Sequence, residues 1–101
     1  MQNPLLYQFK VRPTTANEFK DSLSGAIATV MVFADSDEVG RCRSGRFIAR
    51  NHWEIEEFMR VMAVCPQRLE LFDAAFRKVY RKAEHFGIAA CFDGWKKHTH
   101  K

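Results

Sequence analysis

The segment GRCRSGRFIARN, residues 40–51, contains four arginines, two glycines and no acidic residue. On a helix, Arg43, Arg46 and Arg50 are spaced i, i+3 and i+7, so they line one flank. A row of guanidinium groups neutralises phosphate charges, so this pattern indicates a contact surface for phosphate or nucleic acid. The alternative is a solvated flank that is neutralised by acids of the following segment. Those acids are Glu54, Glu56 and Glu57.

The two glycines of this segment do not form a nucleotide-binding loop. A P-loop requires G-x-x-x-x-G-K-[ST], and a dinucleotide-binding fold requires G-x-G-x-x-G directly after a strand. Neither pattern occurs in the chain, and neither does an aromatic run of the kind that stacks RNA bases. The hypothesis of phosphate or nucleic-acid binding therefore depends on the basic side chains alone.

A second basic group, RKVYRK, occupies residues 77–82. Arg77 and Arg81 each have an acid within about one turn, which is typical of an exposed helix face. Lys78 and Lys82 form a separate pair one turn apart. The nucleic-acid hypothesis expects the two helices to lie side by side and to merge their basic flanks. Its candidate contact residues are Arg43, Arg46, Arg50, Lys78 and Lys82.

No group of residues predicts catalysis, a metal site or a cofactor. A nucleophile needs a neighbouring base and an orienting group, and Cys42, Cys65 and Cys91 show neither signal. These cysteines also lack the spacing of a zinc site or of a disulfide framework. His98 and His100 form an H-x-H pair in a lysine-rich terminus, where a solvated tail is the simpler interpretation. A non-enzymatic role is therefore favoured.

The segments that carry these residues alternate between strand and helix patterns. Strands are predicted at residues 5–12, 26–34, 53–64 and 88–93, and helices at residues 37–51 and 66–86. The run at 26–34 is apolar on both faces and rich in β-branched residues, which is typical of a central strand. In residues 53–64 the alternation slips after Glu57, which predicts a bulge. Residues 14–25 are either a loop or one short helix.

Each predicted helix has one apolar face. The inward residues of the first helix are Gly40, Ser44, Phe47, Ile48 and Asn51. Those of the second are Leu69, Phe72, Phe76, Val79, Tyr80, Ala83 and Phe86. The acidic segment ADSDE caps the first helix, and Gly87 ends the second. The small residues of the first helix allow it to approach a sheet closely.

These elements predict an α+β fold: a two-layer, ferredoxin-like sandwich with a four-stranded mixed sheet and two helices on one face. Residues 1–95 form the single domain, and residues 96–101 form a flexible basic tail. The strand–helix–strand unit at residues 26–64 is expected to contain parallel strands. One sheet face stays partly open, and Leu6 lies on it. Trp95 is the second candidate contact for a partner, with a lid over the core as the competing interpretation.

The composition is that of a globular protein, with 47% hydrophobic and 28% charged residues. No apolar run reaches the ~18 residues of a membrane-spanning helix, and the first residues do not resemble a secretory signal. A cytoplasmic location and no membrane partner are therefore expected. The net charge of +4 permits an acidic partner without requiring one.

Three functions are compatible with the sequence. The favoured one is a small non-catalytic module that associates with itself or with another protein. The second is a nucleic-acid or phosphate binder that uses the basic residues named above. The third is a small-ligand protein or enzyme with a pocket between helix and sheet.

Overall fold

A computed structural model of the chain describes residues 2–97. The strands are β1 (Asn3–Pro13), β2 (Leu23–Ala34), β3 (Trp53–Ala63) and β4 (Ile88–Lys96), and the helices are α1 (Asp37–Arg50) and α2 (Ala74–Phe86). A 3₁₀ helix, Pro66–Leu71, precedes α2. The predicted α+β class and the four strands are confirmed. β4 extends into the first residue of the predicted tail, and residues 98–101 of that tail lie outside the described residues.

β1 and β2 form the central hairpin of a sheet with the order β3-β1-β2-β4. Every pair of neighbouring strands in the described chain is antiparallel, so the predicted mixed sheet is wrong. The error comes from the strand–helix–strand unit. β2 and β3 do run in the same direction, but β1 lies between them, so these two strands never pair.

Alternate residues of the central hairpin pack against different helices. Tyr7 shares a core cluster with Ile48 of α1, whereas Leu6 and Met31 share another with Tyr80 of α2. Because successive strand residues point to opposite faces, α1 and α2 cover opposite faces of the sheet. The predicted two-layer, ferredoxin-like arrangement with both helices on one face is therefore wrong. β2 shows the reason, since its apolar residues occupy both faces and both faces need cover.

α1 approaches the sheet closely, as its small residues predict. Gly40, Ser44 and Ile48 are buried against the strands. A Cβ atom on Gly40 would stand 2.7 Å from the Tyr7 hydroxyl oxygen, so a larger residue would push the helix away. The same Tyr7 hydroxyl donates a hydrogen bond to Asp37 Oδ1 at 2.7 Å. The first turn of α1 is thereby fixed to the middle of β1.

Capping residues define the helix ends. The Ser36 hydroxyl accepts a hydrogen bond from the backbone amide three residues later at 3.2 Å, and Asp73 Oδ1 accepts one from the Phe76 amide at 2.8 Å. Each satisfies a donor that the first turn of a helix leaves free. The Asp73 cap also divides the predicted 66–86 helix into the 3₁₀ helix and α2. Gly87, with a φ of 87°, ends α2 in the left-handed conformation that was predicted.

Residues 14–22 form a series of turns, not a helix, and pack against the end of α1. Asn17 is only 4% exposed; its Nδ2 donates to the His52 carbonyl oxygen at 2.8 Å, and its Oδ1 accepts from the Phe19 amide. The amide and hydroxyl of Thr14 donate to the same His52 carbonyl. These three donors hold His52 at a φ of 65°, a conformation that glycine adopts at lower cost.

Candidate interaction surfaces at the two sheet edges

Arg43, the first arginine of the predicted row, has a structural role. Its Nη1 donates to the Phe33 carbonyl oxygen at 2.7 Å, and its Nη2 lies beside the turn at Gly87. The side chain is half-buried. Arg43 therefore ties α1 to the end of β2 and to the turn after α2. Contact of Arg43 with a phosphate stays a prediction.

Arg46 and Arg50 are exposed on the flank of α1 that borders β4, and they line a depression of about 130 Å³ beside Ile88. The acids predicted to neutralise them lie on β3, at the opposite edge of the sheet. One of those acids, Glu54, forms an ion pair with Arg12 at 3.0 Å. The interpretation of the arginine row as a flank neutralised by β3 is therefore wrong. Arg46 and Arg50 stay candidates for contact with an anion.

Lys78 and Lys82 lie on α2, on the other face of the sheet, so the two helices are not side by side as the merged patch requires. Lys82 nevertheless extends to the border of β4. With Phe47 of α1 and Phe86 of α2 it lines a second depression, of about 580 Å³. Lys78 lines neither depression.

The two depressions share Phe47 and Ile88, so they adjoin each other along β4. We call them together the β4 groove. Its exposed basic side chains are Arg46, Arg50 and Lys82, and the half-buried Arg43 also lines it. Its aromatic side chains are Phe47, Phe86 and Phe92. Within residues 2–97, no carboxylate side chain lines either depression. The groove is thus basic and aromatic at once.

The other edge strand, β3, exposes more large apolar side chains than any other element of the described chain. The exposed fractions are 39% for Ile55, 46% for Met59, 38% for Val61 and 39% for Met62. One side of β3 pairs with β1, and no strand of residues 2–97 pairs with its other side. We call residues 54–62 on this free side the β3 edge. Exposed apolar area next to unpaired backbone is typical of a protein contact surface.

Two bulges shape the β3 edge. The register of β3 with β1 skips Glu56 and Met59. The bulge at Met59 lies two residues after Glu57, in the segment where the sequence predicted a slip of the alternation. Because opposed residues of an antiparallel pair share a face, the register assigns each side chain to a helix layer. The α1 face carries Ile55, Phe58 and Val61, and the α2 face carries Glu54, Glu57, Arg60 and Met62.

Arg41 is the arginine of α1 that lies on the β3 side of the molecule. Its guanidinium carbon is 3.8 Å from the centroid of the Phe58 ring, which is the geometry of a cation–π contact. Beneath α1, burial and then the hydrogen bond to Asp37 raise the pKa of the Tyr7 hydroxyl. This phenol therefore stays protonated and keeps donating to Asp37.

The two residues predicted to contact a partner differ in their surroundings. Leu6 is 4% exposed and belongs to the cluster beneath α2, so it exposes little area for a partner, and its contact with a partner stays a prediction. Trp95 is 39% exposed. Its indole packs over Gly25, where a Cβ atom would stand 2.5 Å from Trp95 Cζ2. Trp95 therefore covers the end of the sheet and still has exposed area, and its contact with a partner stays a prediction.

A depression of about 510 Å³ beside α2 bears on the hypothesis of a small-ligand protein or enzyme. Cys91 and Thr29 line it. Burial, with a smaller contribution from Asp93, raises the pKa of the Cys91 thiol. A protonated thiol is a weak nucleophile and a weak metal ligand. Within residues 2–97 there is no group of three or more His, Cys, Asp or Glu side chains placed to hold a metal ion, and His98 and His100 lie outside that range.

Sequence reasoning missed the β3 edge as a surface. The alternation of Trp53 and Ile55 with the acids Glu54 and Glu56 predicts an inward Ile55, whereas that side chain is 39% exposed. A signal was nevertheless present in the segment FMRVM, residues 58–62, which is apolar on both faces around a single arginine. A strand of that composition needs cover on both faces or exposes apolar area on one of them.

In three comparisons, no family model, curated protein or solved structure matched the chain. Among residues 2–97, no helix has the length and apolar character needed to cross a membrane. The chemistry of the two sheet edges is therefore the basis for inferring a function.

Proposed function

We propose that the protein is a small self-associating module and that a second copy binds at the β3 edge. The observation that supports this proposal most strongly is the concentration of exposed apolar side chains on one free strand. An edge strand presents unpaired backbone N–H and C=O groups, and a partner strand satisfies them. Pairing with a second copy would bury the apolar side chains and complete the backbone hydrogen bonds in the same contact.

The residue pattern of β3 is suited to an antiparallel pair related by a two-fold axis. With the axis at Phe58, Ile55 lies opposite Val61 of the second copy, three residues from the axis on either side. Arg60 of the second copy then lies beside Glu56 and Glu57. In a two-fold interface each of these contacts occurs twice. Apolar residues therefore meet apolar residues, and opposite charges meet across the pair.

The bulges at Glu56 and Met59 limit how far such pairing extends. A bulge interrupts the ladder and increases the local twist of the strand, which disfavours a flat and unlimited addition of strands. We therefore expect a closed pair of copies and not a fibre.

The test is the molar mass in solution, measured by light scattering behind a sizing column for the parent protein and for two matched variants. Val61→Lys places a charge in the proposed contact, whereas Val39→Lys makes the same change at an exposed position of α1, where the valine is 47% exposed. The parent and Val39→Lys should elute at twice the 11.8 kDa mass of one chain. Val61→Lys should elute at the mass of one chain, with an unchanged circular dichroism spectrum.

Three results would count against the proposal. The parent protein could elute as a single chain at all concentrations, or Val61→Lys could elute as the same dimer as the parent. A series of masses that grows with concentration would indicate that the acidic β3 edge of one copy meets the basic β4 edge of the next. A head-to-tail contact whose rotation does not close a ring builds an open chain, which would contradict the two-fold pair.

A further inference from the structure

We propose that the β4 groove binds single-stranded nucleic acid, a function that goes beyond self-association and uses the opposite edge of the sheet. The first support is charge. Arg46, Arg50 and Lys82 are exposed along the groove, and the ion pairs found within residues 2–97, Arg12–Glu54 and Arg81–Glu84, involve none of them. Arg46 Nη2 donates a hydrogen bond to the Cys42 sulfur at 3.3 Å, which leaves its charge without an acidic partner among these ion pairs. These three cations are available to phosphates.

The second support is the placement of aromatic rings between the cations. Phe86 is 66% exposed at the end of α2, although its place in the helix pattern predicted that it would face the core. Phe47 and Phe92 are half-buried in the same groove. Exposed rings beside a basic track stack the bases of single strands, whatever the sequence of those bases. A phosphate site alone would not need these rings.

The third support is the length of the track. Arg50 and Phe92 also line a neighbouring depression of about 460 Å³ at the end of α1. There the rings of Phe92 and Trp53 are stacked, with their centroids 5.1 Å apart. The aromatic surface thus continues from the flank of α1 over Phe92 to Phe19 of the 14–22 loop, where Glu18 also lines the depression. A continuous track of this kind fits a flexible strand better than an isolated phosphate ion or a rigid duplex.

The experiment measures fluorescence anisotropy of a labelled oligothymidylate of about 12 nucleotides, a length within the usual site sizes for single strands. The parent protein should bind it at low salt and release it as the salt concentration rises. The double variant Arg46→Gln/Arg50→Gln should bind at least tenfold more weakly, and its slope of log K against log salt should be smaller by about 1.4, for two lost phosphate contacts. A duplex of the same length should bind more weakly than the single strand.

Two further variants separate this site from general charge attraction. Phe86→Ala should lower the affinity by about fivefold or more with an unchanged salt slope, because stacking contributes affinity without releasing counterions. Lys10→Gln/Arg68→Gln removes two exposed charges elsewhere and should change the affinity less than twofold. Val61→Lys should bind as the parent does, so failure of the β3 proposal would leave this result intact.

Several outcomes would overturn the proposal. These are the absence of binding by the parent protein, equal or tighter binding of the duplex, an unchanged affinity in Phe86→Ala, and a loss of affinity in Lys10→Gln/Arg68→Gln equal to that in Arg46→Gln/Arg50→Gln. The last of these would show that only the net charge matters.

Discussion

β3 and β4 flank the same central hairpin, yet they expose opposite chemistry. The β3 edge combines acidic residues with large apolar side chains, and the two bulges at Glu56 and Met59 interrupt it. β4 contributes the small residues Ala89 and Ala90 to the β4 groove, and the basic side chains of the groove come from the neighbouring helices. Arg46 and Arg50 project from α1, and Lys82 from α2, on opposite faces of the sheet.

The difference follows from where the helices lie. Because α1 and α2 cover opposite faces, both can border β4, and a groove forms along that strand between their flanks. Near β3, in contrast, Arg41 of α1 covers Phe58, and Ile55 and Val61 are left exposed. One sheet thus offers unpaired backbone for a partner strand at β3 and a groove lined by side chains at β4, although both edges flank the same two central strands.

The largest expected effect comes from removing the support that the two edges share. Ile48 of α1 is fully buried against the sheet, so Ile48→Ala should lower the free energy of unfolding by about 2–5 kcal/mol. Both edge activities should then weaken together, whereas a surface substitution at either edge weakens only one. Chemical denaturation measures the loss, with Val39→Ala on the exposed side of the same helix as the control, expected to change it by under about 0.5 kcal/mol. Equal losses in the two variants would contradict the assignment of α1 to the core.

Alkaline pH should also act on both edges at once, through the tyrosines that support the helices. Burial raises the pKa of Tyr7 under α1 and of Tyr80 under α2. As the pH rises above the ordinary tyrosine value of 10.0, the unfolded chain loses these protons and the folded chain keeps them. The unfolded state then binds fewer protons, so the free energy of unfolding falls as the pH rises. Below that pH both tyrosines are protonated in the folded and the unfolded chain, so they do not make the free energy of unfolding depend on pH.

The ultraviolet absorbance of phenolate checks this prediction, because the chain has two tyrosines. Phenolate should appear only as the protein unfolds. Reversible ionisation of both rings near pH 10 in the folded protein, with the circular dichroism spectrum unchanged, would be incompatible with the burial of Tyr7 and Tyr80 described above.

A smaller effect is expected at the junction between α1 and β3. His52 has a φ of 65°, and glycine adopts that conformation at lower cost. His52→Gly should therefore raise the free energy of unfolding by about 0.5–1 kcal/mol and leave both edge activities unchanged. The matched variant His85→Gly, inside α2, should lower it by a similar amount, because glycine is a poor helix former. A loss of stability in His52→Gly would mean that the imidazole makes contacts that outweigh the backbone strain.

Much of the secondary structure could be predicted from the sequence, because strong local patterns specify it. The apolar stripe of α1, the role of β2 as a central strand and the left-handed Gly87 all follow from spacing and residue type. The placement of the helices could not be predicted in the same way. The apolar run of β2 indicated a central strand, yet both helices were predicted on one face. The interposition of β1 between β2 and β3 depends on long-range pairing that no local pattern encodes.

The candidate surfaces were predicted less well than the fold. The arginine row was identified from its spacing, but the hydrogen bond from Arg43 to the Phe33 carbonyl depends on a contact between distant segments. Phe86 shows the same limit, since it has the helix phase of Tyr80 and Ala83 and yet lies beyond the edge of the sheet. Whether a residue at a correct helical phase is buried depends on where the sheet ends, which only the tertiary structure fixes.

The most direct test of the β3 proposal is a charge exchange across its two-fold axis, with molar mass in solution as the measurement. Glu56→Arg/Glu57→Arg and Arg60→Glu should each weaken the dimer, because each places like charges opposite one another in the two copies. The combined variant Glu56→Arg/Glu57→Arg/Arg60→Glu should restore it, since the exchanged charges are again complementary in a two-fold pair. A combined variant as weak as the sum of the two separate changes, or separate changes that leave the dimer as strong as in the parent, would contradict the account.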